Sequence, residues 1–139
     1  EPNSKLQKIN CYSFNGSSIK QITIPPSVKE ICYSAFCDCK QLEFIDFPNN
    51  SELKTIGSNA FSNTKINKIW IPSSVKEICN CAFNDCKQLE YIDFPNNSEL
   101  KKIGCNAFSN TNIKTIKIPS QVDELDNGFF FWCITIKYN

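Results

Sequence analysis

Apolar residues recur along the chain in three columns. Ile19, Leu42, Ile66, Leu89 and Ile113 form the first; Ile22, Ile45, Ile69, Ile92 and Ile116 follow three residues on; Ile24, Phe47, Ile71, Phe94 and Ile118 follow two further on. The last two columns alternate with other residues, the period of a strand that turns every second side chain inward. Each segment therefore predicts a very short strand, and each ends on a proline: Pro25, Pro48, Pro72, Pro95 or Pro119. Proline has no N–H to give to a ladder, so it stops the strand and turns the chain outward. A return arm follows, with Val28, Leu53, Val75, Leu100 and Val122, then Ile31, Ile56, Ile78, Ile103 and Leu125, then Ala-Phe pairs at 35–36, 60–61, 82–83 and 107–108. No single unit can bury such a face, but stacked neighbours build one continuous core, with the phenylalanines as its expected aromatic spine.

The repetition is close to literal. CKQLEFIDFPNNSELK (39–54) returns as CKQLEYIDFPNNSELK (86–101), an offset of 47 with the single change of Phe44 to Tyr91. The merged isoleucine series steps by 23 and 24 residues in alternation, so two kinds of unit alternate, the second carrying two extra residues after its proline. One domain over 1–139 is expected, divided as a partial unit 1–21, then 22–44, 45–68, 69–91, 92–115 and a degenerate last unit 116–139. The predicted fold is an α/β repeat solenoid: a right-handed coil with a short parallel sheet on a concave front and turns or short helical pieces behind.

The string IPSSVKEICNCAFNDCKQLEYIDFP resembles the BspA-like class of leucine-rich repeats, whose pattern is roughly IPxSVxxIxxxAFxxCxxLxxIxIP. The likeness runs from residue 4 to about residue 133, and the NNSELKxIGxNAFSNTxI variant resembles units of trichomonad surface proteins of this class. The resemblance implies a curved solenoid of the kind found in secreted or surface proteins of mucosal bacteria and parasitic protists. It further implies adhesion, with a host or extracellular-matrix protein as partner.

Composition removes several other functions. Fifteen lysines against fourteen acids leave a net charge of +1, with no global pull toward nucleic acid or membrane. There is no arginine to clamp phosphate with two bonds. Histidine, the commonest general base and metal ligand, is also absent. Without methionine, a signal peptide or a membrane-length apolar run, the chain reads as a processed or excised piece. Four glycines offer no phosphate loop, and Asp46 and Asp93 recur by repetition two units apart, so neither a catalyst nor a cofactor is expected.

The nine cysteines do not have zinc-site spacing, and no metal is expected. Cys39, Cys86 and Cys133 share one slot with Thr64 and Thr111, which reads as a column of buried reduced thiols. Bridges at Cys11/Cys32 or Cys79/Cys105 remain open alternatives. Sequons at Asn15, Asn49 and Asn96 are candidate glycosylation sites, although asparagine also suits turns on its own account.

Residues between the apolar columns face out. One row is Gln21, Phe44, Lys68, Tyr91 and Thr115; the other is Thr23, Asp46, Trp70, Asp93 and Lys117. Phe44, Asp46, Lys68, Trp70, Tyr91, Asp93 and Lys117 form the candidate ligand-binding set, because large aromatics among charges of both signs are what a protein-binding patch shows. The competing reading is that aromatics merely suit strands. The last unit, GFFFWCITIKYN, places Phe130, Phe131 and Trp132 where a solenoid needs a cap, or where chains self-associate end to end. The expected function is a protein-binding segment of a surface adhesin; the alternatives are a structural spacer or a self-assembling solenoid.

Overall fold

The computed structural model describes residues 5–126 and 135–138. Twelve short strands alternate between two walls of a coil. The front wall carries β2 (Gln21–Thr23), β4 (Phe44–Asp46), β6 (Lys68–Trp70), β8 (Tyr91–Asp93), β10 (Thr115–Ile118) and β12 (Thr135–Tyr138). The return arm carries β1 (Lys8–Ile9), β3 (Glu30–Ile31), β5 (Thr55–Ile56), β7 (Glu77–Ile78), β9 (Lys102–Ile103) and β11 (Glu124–Leu125). All pairings are parallel.

Two expectations change here. Among the described residues there is no helix, so the α/β description gives way to a parallel β-solenoid. The cause lies in the Ala-Phe segments, where the N–H of each phenylalanine donates to the next turn's alanine carbonyl: Phe14 to Ala35, Phe36 to Ala60, Phe61 to Ala82 and Phe83 to Ala107, each at 2.8 Å. A donor spent between turns cannot close a helical bond within its own turn. Left-handed residues flank each pair, Asn59 and Asn63 at φ 56° and 58° for example, and six of the nine non-glycine positions of this kind are Asn or Asp. These side chains tolerate that conformation best after glycine, and it interrupts a right-handed helix.

The second change is in the sheets. The unbroken ladder, six strands in the order β1-β3-β5-β7-β9-β11, lies on the return arm, while the front wall divides into three two-stranded sheets, β2-β4, β6-β8 and β10-β12. Return-arm partners run Lys8, Glu30, Thr55, Glu77, Lys102 and Glu124, so the coil advances there by 22 and 25 residues in alternation, as the Ile31, Ile56, Ile78, Ile103 and Leu125 column does, whereas 23 and 24 alternate in the front-wall isoleucines. The longer steps hold the Asn-Asn insertions. Pro48 and Pro95 carbonyls accept the N–H of Ser51 and Ser98, whose hydroxyls then accept the N–H of Leu53 and Leu100 at 3.3 and 3.2 Å. On the front wall Gln21 pairs with Phe44 and Lys68 with Tyr91, steps of 23, and the degenerate last unit shortens to 20 between Thr115 and Thr135.

Between the walls lies one core. Leu42, Ile66, Leu89 and Ile113 are buried with Ile31, Ile56, Ile78 and Ile103. Phe14, Phe36, Phe61, Phe83 and Phe108 stack at 5.0, 5.2, 5.4 and 5.5 Å between ring centroids, with planes within 14° of parallel, which is the expected spine. The slot shared by cysteine and threonine packs beside it and is polar in a consistent way. Cys39 Sγ donates to Phe14 O at 2.9 Å, Cys86 Sγ to Phe61 O at 3.1 Å, and Thr111 Oγ1 to Phe108 O at 2.9 Å. Burial pushes the Cys86 thiol up to about 11, against the hydrogen bonds from Thr64. No disulfide links any two of the eight described cysteines; Cys133 lies outside them. The register sets Cys32 opposite Asn10 and Cys105 opposite Asn80, so both bridge candidates fall one residue out of step.

Two outcomes are expected from this packing. A β-carbon at Gly57 would stand 2.7 Å from Ile31 O and 2.8 Å from the Cys32 carbonyl carbon, and backbone cannot swing aside. Gly57→Ala should cost about 1–3 kcal/mol, and Phe61→Ala about 3–5 kcal/mol, both read from urea midpoints; a wild-type midpoint for either would refute the packing argument. The buried thiol also sets an alkaline limit. Its folded value lies above the ordinary thiol value of about 8.5, so its contribution is whole below that pH and is lost as pH climbs toward about 11. Cys86→Thr, which repeats the neighbouring residues of the slot, should flatten the fall in urea midpoint across that window. Superimposable profiles would show that the thiol is not its cause.

Candidate functional site

The alternation of β4, β6, β8 and β10 puts one row of residues against the core and the next into solvent. Ile69 and Ile92 are buried, while Phe44, Trp70 and Tyr91 are 48, 64 and 70% exposed. Within β6-β8, Lys68 lies opposite Tyr91 and Trp70 opposite Asp93. Phe44 stands on the adjacent β4, in a separate two-stranded sheet, so the three aromatics face a common space without sharing one ladder.

That space is an open depression of about 640 Å³. Six of the seven candidate residues line it: Phe44, Lys68, Trp70, Tyr91, Asp93 and Lys117. Asp46 lies outside it, lining a shallower hollow with Gln21 and Thr23. The floor is Ile45, Ile69 and Ile92, with Ile45 only half-buried. Sequence periodicity assigned Ile45 to the core. Its partial exposure goes with the division between β4 and β6, which only the ladder itself reveals.

The charges of the site contrast with those elsewhere. Most return-arm lysines are matched: Lys8 meets Glu30 at 2.9 Å, Lys102 lies between Glu77 and Glu124 at 3.5 and 3.6 Å, and Lys54 and Lys76 share Glu99 at 3.6 and 3.8 Å. Among the described residues, Asp46, Asp93, Lys68 and Lys117 make no ion pair. The surface thus offers apolar ring faces with charges of both signs free to be matched. It contains no group of three metal-binding side chains among the described residues.

All three sequon asparagines, Asn15, Asn49 and Asn96, are exposed, and Asn15 Nδ2 also donates to Cys37 O at 3.1 Å. Asn49 and Asn97 also border a shallow hollow beside Trp70, placing the post-proline loops at the rim of the site. An exposed pair that periodicity did not single out, Tyr12 and Tyr33, meets edge to face at 5.3 Å near the start of the chain. Phe130, Phe131 and Trp132, the proposed self-association residues, lie outside the described residues.

Three known structures of similar shape come from bacteria. The pneumococcal vaccine antigen PcpA matches 94% of this chain at 26% identity with a TM-score of 0.85, over 34% of its own length. A leucine-rich repeat protein from Bacteroides ovatus matches 96% at 29% identity and 0.77, over 37% of its length. The leucine-rich repeat protein TpLRR from T. pallidum matches 76% at 27% identity and 0.69, over 51% of its length. The chain thus spans between about a third and a half of these relatives. No curated protein matches it. The BspA type leucine-rich repeat region matches residues 7–137 in six copies, and with the spine, the proline turns and the strand register described above, the chain belongs to that family.

Proposed function

We propose that this chain is a protein-binding module that works through its front face, as a segment of a surface-displayed or secreted adhesin whose partner is a host or extracellular-matrix protein. The observation that carries the reading is the cluster of Phe44, Trp70 and Tyr91, three large side chains held in water over one depression by a rigid core. Folding gains nothing from leaving such area exposed, and binding a partner recovers it. Aromatic anchors ringed by charges are the usual composition of a binding hot spot. Membership of a repeat family that includes a vaccine antigen among its structural relatives supports a place outside the cell.

The expected outcome is that immobilised protein captures a component of an extracellular-matrix or epithelial-surface extract, and that Trp70→Ala abolishes the capture while leaving the circular dichroism spectrum intact. Undiminished capture by Trp70→Ala and Tyr91→Ala would move the site elsewhere on the solenoid.

A further inference from the structure

We propose that the row Asp46, Trp70 and Asp93 anchors a basic side chain of an extended partner polypeptide, an arginine guanidinium or a lysine ammonium, and that Lys117 meets an acidic residue of the same peptide about three positions away. The inference rests on the front-face reading above and adds the chemistry of the contact.

The two outward rows have opposite order. The first runs Phe44, Lys68, Tyr91, a cation between aromatic residues; the second runs Asp46, Trp70, Asp93, an aromatic between anions. The first row holds its own cation. The second, over the same three strands, has the groups that attract one and holds none, its lysine standing one strand beyond Asp93. Trp70 is largely exposed, and an indole face is the strongest aromatic acceptor of a cation. Asp93 lies directly across the ladder from Trp70, and Asp46 holds the same outward position on β4. Strands paired in the β6-β8 ladder are about 4.8 Å apart, so a cation seated within about 6 Å of the indole ring also reaches the Asp93 carboxylate. Neither aspartate is matched among the described residues, whereas Glu30, Glu52, Glu77, Glu99 and Glu124 of the return arm are.

The signs along the row identify the occupant. Beyond Asp93 the same outward position on β10 is Lys117. A polycation or a polyanion laid along this row would meet a like charge at one end, while a peptide carrying both signs would not. Trp70 and Lys117 are two strands apart, across the β6-β8 ladder and the break to β10, a span on the order of 10 Å that an extended peptide covers in about three residues at roughly 3.3 Å each. The matching sequence is a basic residue and an acidic residue separated by two others.

A phage-displayed library of random decapeptides selected on the immobilised protein tests this. Binders should be enriched in Arg or Lys three positions from Asp or Glu. Synthetic copies should bind about tenfold more weakly to the Asp46→Asn, Asp93→Asn double variant, the scale of two exposed charge contacts. The same weakening should follow when the peptide's own basic residue becomes Gln, and the two losses should not add. Binders without basic residues, lost on Trp70→Ala but indifferent to the double variant, would overturn this inference and leave the front-face function standing. Binders indifferent to Trp70→Ala would overturn both. Absence of any binder sensitive to the aspartates would also overturn it.

Discussion

Everything in this solenoid depends on where the phenylalanine amide sends its proton. Directed to the alanine carbonyl of the next turn, it fixes the distance between turns and brings the rings to 5.0–5.5 Å. The same bond removes the donor a helix would need, and left-handed residues on either side complete the reversal. Hydrophobic burial supplies the driving force, but it is indifferent to direction. The inter-turn bonds give it an axis, and with it a register in which apolar side chains meet apolar neighbours and the spine phenylalanines meet one another.

The inward positions were legible because burial enforces a strict period. Leu42 and Leu89, or Phe36 and Phe83, repeat because a change of volume in a close-packed core is costly. The spine and the outward rows followed from the same counting. The return-arm strands, two residues each at the Ile31, Ile56, Ile78 and Ile103 positions, are too short to show an alternation, and the Ala-Phe pairs beyond them are compatible with a helical turn until the neighbouring turn takes the amide. The division of the front wall was hidden for a similar reason: Ile45 and Ile69 are one residue type in one column, and only pairing separates β4 from β6. Of the candidate site, six residues came together as alternation required, and Asp46 fell to one side of the depression. The cysteine bridges, which spacing left open, do not form among the described residues.

The two walls divide the work. On the return arm, matched charges and a continuous ladder leave little for another molecule to satisfy. The front wall has shorter ladders, unmatched charges and exposed rings. Phe44 and Tyr91 occupy equivalent places in two nearly identical segments and differ by one hydroxyl, at a position where the core imposes no constraint. On the function proposed above, stability and recognition draw on different residues of the same repeat, and one can change without the other.

The unequal return-arm steps carry a consequence for how such an array changes length. Loss or gain of one turn would set two short loops, or two Asn-Asn loops, side by side and break the alternation of 22 and 25. A crossover between segments 39–54 and 86–101 instead removes or adds 47 residues and returns every partner to a like neighbour. The heritable unit of this solenoid is the pair of turns, and each added pair brings with it another outward aspartate and aromatic of the kind found at 44–46 and 91–93.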